Sequence, residues 1–316
     1  MSFSKQTLAW RLKLQQLVVF EHVVASGSLL AASRDLPLTQ SAITKAIQEL
    51  EEYFGQALLV RTRRGVLATE FGRMLLGHSR TLMADLRHLA DDVNAWNAGV
   101  SGSVLVGTLL AATAELLPSA ILRVRELAPQ VSVQVRVGVN DKLFPDLLRG
   151  DLDIVVGLVP ETEGGADLDH VVLYEEALCA VVGRQHPLTT RAVPDPAALA
   201  RLAWVVPTSD SQAGLAVPRF FDALGIARPS HAVESVSIMT NLGLLVDSHM
   251  VALMPFSVAR KFVHLGLLTV LPLGQAVPFG QVGYTVARGR TVTPALQRFI
   301  LALHDSAAAE QTYSGS

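Results

Sequence analysis

The sequence predicts a protein of two parts, a small all-α N-terminal domain that carries a basic hairpin and a larger α/β domain built as two lobes. Three observations support this prediction. Short amphipathic helices and tight turns alternate up to about residue 70, a long proline-free helix follows, and the remaining chain repeats strands and helices. At 316 residues the chain is about twice as long as a typical single domain.

The composition excludes several classes of protein. Half of the residues are apolar and 17% are charged, which argues against disorder. No apolar run approaches the roughly 18 to 20 residues that span a bilayer, and the N-terminus shows no secretory signal, so we expect a soluble cytoplasmic protein. Cys179 is the only cysteine, which excludes an intramolecular disulfide, and its apolar neighbours indicate a buried structural thiol.

The charge changes sign along the chain, although its formal total is only −2. Residues 1–100 carry eleven Lys and Arg against nine Asp and Glu, whereas the rest carries fifteen against nineteen. Arg61, Arg63 and Arg64 fall within four residues that include no acid. Because a local basic surface attracts nucleic acid, the N-terminal part is the candidate for such a partner.

Three short helices are predicted at the N-terminus. The first runs from about residue 12 to 25. Ser28 can cap the second, LLAASRDL, which must end before Pro37. Thr39 can cap the third, QSAITKAIQELEEYF, and Gly55 closes it in the left-handed conformation. The result is a helix, a tight turn and a helix.

The third helix has one apolar face and one short polar face, which is the chemistry of a helix that reads base edges in the major groove. The following segment, ALLVRTRRGVLATEFG, is predicted as a hairpin with Gly65 at its tip, suited to phosphate contacts. A solvated helix face beside a basic hairpin is the alternative. The residues predicted to contact DNA are Gln40, Ser41, Thr44, Lys45, Arg61, Arg63 and Arg64.

The segment from about Glu70 to Trp96 predicts a long helix with a heptad seam. A helix of this length, projecting from a small domain, would be unstable alone, so we expect a partner chain and hence a homodimer. Packing against its own α/β domain is the alternative. The seam residues predicted to form the dimer contact are Leu75, Leu82, Leu86, Leu89, Val93 and Trp96.

The rest of the chain predicts two α/β lobes. After a small-residue stretch at 97–102, strand and helix patterns alternate, which indicates parallel β-α-β units. A similar alternation recurs between about Val171 and Val286, and the last helix, TPALQRFILALHD, returns to the first lobe. The predicted domains are 12–70, 71–97 and 98–306, with lobe I at about 103–160 and 278–304 and lobe II at about 169–274.

Polar residues next to the predicted strand ends are candidates for ligand binding. Two-lobed α/β units bind small molecules at the carboxyl ends of their strands, where helix N-termini favour anions. Ordinary helix capping is the alternative for each. The candidates are Thr108, Asn140, Thr208, Ser209 and Ser237.

Catalytic motifs are missing from the sequence. It has no G-x-S-x-G, P-loop, G-x-G-x-x-G after a strand or H-E-x-x-H, and its nine histidines are scattered. Asp151 and Asp153 are interpreted as turn and cap residues. We therefore expect no catalytic residue, no metal and no cofactor.

From Leu14 to Gly72 the residues resemble the N-terminal domain of LysR-type transcriptional regulators. Three positions depart from the commonest family residues: Ser33 replaces an alanine, Ser41 stands where proline is frequent, and Lys45 fits a cation position where arginine is common. Lys45 matters most because an ammonium lacks the planar fork of arginine. The matching residues are Leu17, Phe20, Gly27, Ser28, Leu29, Leu36, Leu38, Thr39, Gln40, Ala42, Ile43, Thr44, Lys45, Ile47, Leu50, Glu51, Phe54, Gly55, Arg61, Thr62, Thr69 and Gly72.

The resemblance continues to about His304 with less specific motifs. The run LRGDLDI and the turn His186-Pro187-Leu188 fit the family, whereas Ser248 and Met250 replace two frequent glycines. GTLLAATAELLPSAI and LRGDLDIVVGLVPE resemble the subgroup that regulates sugar uptake and protocatechuate-type aromatic catabolism.

The resemblance implies a winged helix-turn-helix domain, an antiparallel dimerising linker helix and a periplasmic-binding-protein-like effector domain. The implied function is ligand-responsive transcriptional regulation without enzymatic activity. The implied partners are double-stranded DNA with an interrupted palindromic operator, a small carboxylate or sugar-derived effector, a homodimer or homotetramer, and RNA polymerase, with no membrane. The alternative is a solute-binding module for transport, or another small-molecule-binding α/β protein whose helical domain serves interactions only.

Overall fold

A computed structural model describes residues 4–63, 65–98, 101–109, 112–160, 167–190, 195–273 and 277–314. The chain forms two compact units. One ends at Val93 and includes Leu148–Asp151, and the other comprises Asn94–Leu147 and Leu152–Ser316.

The N-terminal unit is helical with one hairpin. Its helices are α1 (Lys5–Arg11), α2 (Leu14–Ser26), α3 (Leu29–Asp35), α4 (Gln40–Phe54) and α5 (Glu70–Ala98), and its strands are β1 (Leu59–Thr62) and β2 (Gly65–Ala68). The sequence interpretation did not include α1, which begins after Ser4, whose hydroxyl accepts a hydrogen bond from Thr7 N.

The predicted caps of α3 and α4 are confirmed. The Ser28 hydroxyl accepts from Ala31 N, and the Thr39 hydroxyl accepts from Ala42 N at 3.3 Å. Gly55 ends α4 with a φ of 63°, a conformation that glycine adopts without steric cost. The turn before α4 is therefore encoded locally.

Apolar faces of α2, α3 and α4 form the core of this unit, with Phe20, Ile43 and Leu50 fully buried. Leu75 on α5 belongs to the same core and is only 8% exposed. The heptad pattern assigned Leu75 to the dimer contact, and this assignment is wrong because the first turns of α5 complete the core of their own domain.

The second unit carries the remaining elements. Its strands are β3 (Gly102–Thr108), β4 (Val131–Val137), β5 (Ile154–Val159), β6 (Leu168–Gly183), β7 (Trp204–Val206), β8 (Val233–Glu234), β9 (Val251–Pro255), β10 (Leu268–Val270) and β11 (Val277–Ala287). Its α-helices are α6 (Leu116–Leu127), α7 (Asn140–Arg149), α8 (Pro196–Leu199), α9 (Gln212–Ala223), α10 (Ile238–Val246), α11 (Phe256–His264) and α12 (Pro294–Ser314).

One mixed sheet runs through the second unit in the order β4-β3-β5-β11-β6-β9-β7-β8, and β10 pairs with β6. Strands β3, β4 and β5 are parallel in lobe I, as are β7, β8 and β9 in lobe II. The sequence predicted only parallel units, whereas β6 and β11 run antiparallel to their neighbours.

These two antiparallel strands connect the lobes. The first part of β6 pairs with β11, and β11 also pairs with β5 in lobe I. The last residues of β6 pair with β9 and β10 in lobe II. The predicted crossover strands are thus β6 and β11, and the carboxyl ends of the parallel strands of both lobes lie beside them.

Among the described residues, no single helix is both long and apolar enough to cross a bilayer. Helices α2 and α3 meet the requirement only as a pair, and that pair is bent by 116°.

Candidate DNA-binding surface and ligand pocket

The polar face of α4 is exposed. Gln40, Ser41 and Lys45 are exposed, Thr44 is half-buried, and Ile43 and Ile47 on the opposite face are buried. This arrangement follows from the 3.6-residue period, because one face is used by the core. The first two turns of α4 therefore present hydrogen-bonding groups to the surroundings.

Lys45 is the one cation among the predicted residues of α4. Its ammonium lies 3.9 Å from the Glu49 carboxylate, but 77% of the lysine side chain is exposed. An exposed pair of this kind contributes little stability, so the ammonium is available to another anion. The Thr44 hydroxyl donates to Gln40 O at 2.9 Å, which leaves its oxygen as an acceptor.

The hairpin lies against the turn between α2 and α3. Strands β1 and β2 pair from Leu59 and Ala68 to Thr62 and Gly65, and Val66 N donates to Gly27 O at 2.8 Å. A Cβ on Gly65, whose φ is 132°, would lie 2.3 Å from the same carbonyl oxygen. The close contact fixes the hairpin on its own domain.

Two of the predicted arginines of the hairpin are exposed. Arg61 lies on β1 and Arg63 follows it at the turn. Arg64 lies outside the described residues. The described part of the hairpin thus presents two guanidinium groups on the same domain as the polar face of α4.

A row of apolar side chains is exposed along α5. Leu82, Leu86, Leu89 and Val93 recur at steps of four and three residues, and between 40% and 58% of each is exposed. The side chain of Trp96, the last predicted member, lies outside the described part of the chain. Four of the six predicted dimer residues therefore form one continuous exposed row.

The second unit contains a pocket of about 340 Å³ between its lobes. Leu109, Gly138 and Leu158 line it from the ends of β3, β4 and β5 in lobe I. Pro207, Ser235 and Met254 line it from the ends of β7, β8 and β9 in lobe II. Its position at the carboxyl ends of the strands is the usual ligand site of open α/β sheets.

The pocket is mainly apolar with a few polar groups. Its polar lining consists of Asn140, Asp210, Ser211, Gln212, Ser235 and Asn241, and its apolar lining includes Leu109, Val139, Leu158, Val236, Ile238, Leu253, Met254, Val258 and Phe279. The N-terminal residues of α7, α9 and α10 all belong to this lining. Helix N-termini add partial positive charge to the site.

Asn140 is the one predicted effector residue that lines the pocket. The hydroxyl of Thr108 is buried and donates to the carbonyl oxygens of Leu109 and Val156, so it is used within lobe I. Ser237 caps α10 by accepting from Thr240 N. Ser237 therefore acts as a helix cap, which was the alternative interpretation, and it is not among the residues that line the pocket.

Thr208 and Ser209 do not line the pocket either. The Thr208 carbonyl accepts from both the backbone N and the hydroxyl of Ser211, which holds the turn before α9. The next residues, Asp210 and Ser211, line the pocket instead. The sequence located the correct loop, but the direction of each side chain depends on how the turn closes.

Asn241 is a pocket residue that the sequence interpretation missed. It lies in the first turn of α10 and is only 5% exposed, and its Nδ2 donates to Ser235 O at 3.4 Å. An asparagine inside the apolar run IMTNLGLLV was the available signal, because a buried amide requires partners. The side-chain oxygens of Asn140 and Asn241 are both buried and accept no hydrogen bond from any described residue.

An ion pair also joins the lobes. Arg260 on α11 in lobe II holds the Glu115 carboxylate of lobe I through Nε at 3.0 Å and through its Nη2 atom at 2.9 Å. Both nitrogens contact the same carboxylate oxygen, Oε2, and both side chains are largely buried. Val258 on the same helix lines the pocket, so one helix contributes both to this ion pair and to the pocket wall.

Cys179 is buried beside the pocket, as expected. Its thiol donates to the carbonyl oxygen of Met254 at 3.6 Å, and burial, with a smaller effect of the Glu176 carboxylate, raises the pKa of the thiol. A protonated buried thiol has little nucleophilic reactivity. Among the described residues, no group of three or more His, Cys, Asp or Glu side chains is placed to hold a metal ion.

Comparisons with known proteins match both units. The model of bacterial regulatory helix-turn-helix proteins of the LysR family matches residues 14–73, and the LysR substrate binding domain matches residues 97–308. The transcriptional regulator GbpR of Azospirillum brasilense is 28% identical over 294 residues, which cover 93% of this chain and 86% of that protein.

Two further relatives are also named as transcriptional regulators, and two solved structures have a similar fold. The regulator PcaQ of Agrobacterium fabrum is 29% identical over 94% of this chain and 96% of that protein, and GalR of Pseudomonas putida is 32% identical over 89% and 70%. Full-length CbnR, solved with its target DNA, has a TM-score of 0.66 at 21% identity and covers 93% of this chain and 100% of that chain. OxyR from Pseudomonas aeruginosa has a TM-score of 0.64 at 21% identity, with coverages of 93% and 97%.

A helix-turn-helix domain joined to a two-lobed ligand-binding domain defines the class of DNA-binding transcriptional regulators that carry an effector-binding domain. Because the two family models together match most of its residues, the chain belongs to the LysR family of these regulators.

Proposed function

We propose that this regulator binds an interrupted palindromic operator as a homodimer or homotetramer, and that a small effector in the pocket between its lobes changes this binding. The observation that carries the proposal is that the same unit exposes both the polar face of α4 and the arginines of the hairpin. Two such surfaces in a symmetric assembly read two half-sites.

Each DNA-binding residue has a proposed role. Gln40, Ser41 and Thr44 face base edges or nearby phosphates, and Lys45 donates to a base or to a phosphate as a point charge. Arg61 and Arg63 hold the phosphate backbone through the hairpin, and the same role is proposed for Arg64.

The dimer contact is proposed to use the exposed row of α5, formed by Leu82, Leu86, Leu89 and Val93 with Trp96 at its end. Leu75 takes no part, because it lies in the core of its own domain.

The pocket is proposed as the effector site. A ligand there touches both lobes, and it shifts their relation only by as much as it prefers one arrangement over the other. The family relationship and the pocket support a role in regulation, and we assign no enzymatic activity to the chain. Because its target is chromosomal DNA, we place it in the cytoplasm, with RNA polymerase as a further partner at the promoter.

The proposal is tested by measuring operator affinity as a function of salt, using DNA from upstream of the protein's own gene. Lys45→Ala/Arg63→Ala removes two cations from the proposed surface. We expect weaker binding and a log–log salt slope that is smaller by about two units, since each lost phosphate contact reduces the slope by about one.

The matched control is Arg125→Ala/Lys261→Ala, which removes the same charges from exposed positions on α6 and α11 of the other unit. This control should bind the operator with wild-type affinity and slope. Equal binding by wild type and the α4 and hairpin variant would contradict the proposed surface.

A further inference from the structure

The two asparagines of the pocket lie on opposite lobes. Asn140 is the first residue of α7 in lobe I, and Asn241 lies in the first turn of α10 in lobe II. Both side-chain oxygens are buried at the pocket without a donor among the described residues. Buried acceptors in folded proteins almost always have a donor, and exceptions occur at functional sites.

We propose that the effector is a neutral or singly charged molecule with an apolar body and at least two hydrogen-bond donors, one for Asn241 and one for Asn140. The inference rests on the proposed function of the pocket as the effector site. A hydroxylated small molecule of this kind connects the two lobes through its donors.

Of the two unpartnered oxygens, that of Asn241 is the stronger evidence for a ligand. Its amide nitrogen already donates to Ser235 O, which fixes the amide so that Oδ1 is the atom left for a partner. Because Asn241 is only 5% exposed, bulk water is a poor substitute for that partner. A ligand that supplies a hydroxyl or an N–H satisfies the acceptor, whereas an ether or a methyl group leaves it unsatisfied.

The charges of the lining limit the ligand further. Among the described lining residues, Asp210 is the one charged side chain, and none is lysine or arginine. The helix N-termini of α9 and α10 can stabilise one carboxylate, but they carry only partial charges. A dicarboxylate would lose its hydration without a full opposite charge, so we exclude it as the effector.

The test uses compounds that differ only in donor number. The probes are trans-1,4-cyclohexanediol, its monomethyl ether and its dimethyl ether, with trans-cyclohexane-1,4-dicarboxylate as the dianion. Their dissociation constants for the full-length protein are measured by ligand-observed NMR titration. We expect the diol to bind most tightly, each ether to weaken binding about tenfold, and the dicarboxylate not to bind.

Two variants test whether the probes bind in the pocket. Asn241→Leu keeps the approximate shape and removes the acceptor, so the diol should lose its advantage over the monomethyl ether. Val236→Trp fills the pocket from a partly exposed lining position and should abolish binding of every probe.

Several results would overturn the ligand class. One is a dimethyl ether that binds as tightly as the diol. Another is a preference for the diol that survives in Asn241→Leu, and a third is no binding of the diol. Operator binding is measured on the same preparations without probe. Normal operator binding beside a failed probe test refutes the ligand class alone, whereas lost operator binding refutes the proposed function.

Discussion

At the scale of single residues, Glu176 is the buried carboxyl group with the clearest structural task. It lies on β6, is 2% exposed, and accepts hydrogen bonds from the Ser257 hydroxyl and from the backbone N of Ser257 and Ala177. Helix α11 begins after Pro255, which makes no side-chain cap. Glu176 therefore caps α11 from the neighbouring crossover strand.

Burial raises the pKa of Glu176 above its ordinary value, against the opposing effect of its hydrogen bonds. A carboxyl group whose pKa is raised on folding stabilises the protein fully below its unfolded pKa, and this contribution is lost as pH rises through the folded pKa. The wild type should therefore lose stability between mildly acid and neutral pH.

Glu176→Gln should remove this loss while keeping the hydrogen bonds to Ser257. At neutral pH the variant should melt about 2–4 °C above the wild type, the shift expected for about 1 kcal/mol in a domain of this size, and the difference should shrink toward pH 5. Thermal unfolding in buffers of matched ionic strength measures it. A difference that stays constant with pH would show that the charge of Glu176 is not responsible.

The sequence could predict residues whose partners are near in the chain, and it could not predict the others. Thr39 contacts Ala42, three positions away, so its capping role follows from residue type and spacing. Glu176 and Ser257 are 81 positions apart. Asn241 was missed for a similar reason, because its importance depends on a pocket that only the folded lobes create.

At the scale of elements, the start of α5 explains why the family pattern includes Thr69 and Gly72. The Thr69 hydroxyl donates to Ala57 O at 2.7 Å and accepts from Gly72 N at 2.9 Å, which caps the helix and ties it to the segment before β1. A Cβ on Gly72 would lie 2.2 Å from the carbonyl oxygen of Leu58. Glycine is needed here for close backbone approach.

Two glycines of α5 should therefore respond oppositely to the same substitution. Gly72→Ala should destabilise the N-terminal unit by about 1–3 kcal/mol, because the backbone of Leu58 has to move. Gly77→Ala, where an added Cβ meets nothing within 4 Å, should stabilise the helix by about 0.5–1 kcal/mol. Chemical denaturation of the two variants measures both effects, and a loss of stability in Gly77→Ala would contradict the explanation.

Elements with strong periodicity could be predicted closely, whereas the crossover strands could be predicted only in outline. Helix α4 has the predicted bounds because both of its ends carry local signals. Strand β6 runs over 16 residues, yet only its apolar end, LCAVVG, shows a strand pattern. Strand β11 contains Pro278 and Gly283, which weaken a strand pattern, and Gly283 is required because a Cβ would lie 1.9 Å from Val171 O.

At the scale of the whole molecule, the helix-turn-helix domain and the effector-binding domain belong to separate compact units. In the proposed dimer, assembly delivers two recognition helices to one operator. The exposed row of α5 is suited to this task, because its apolar side chains repeat with a coiled-coil spacing and none is used by the core of its own unit. A monomer would bind each half-site independently and would lose the gain in affinity that comes from linkage.

Leu86→Glu/Leu89→Glu should therefore convert the protein to a folded monomer, because four charges would face one another in the proposed contact. Light scattering coupled to gel filtration measures the mass. Operator affinity should fall by at least about a hundredfold, while circular dichroism should remain that of the wild type. Met74→Glu is the control, since Met74 is 47% exposed on the same helix but lies roughly 80° around its axis from Leu82. A double variant that keeps the wild-type mass would show that another surface holds the protomers together.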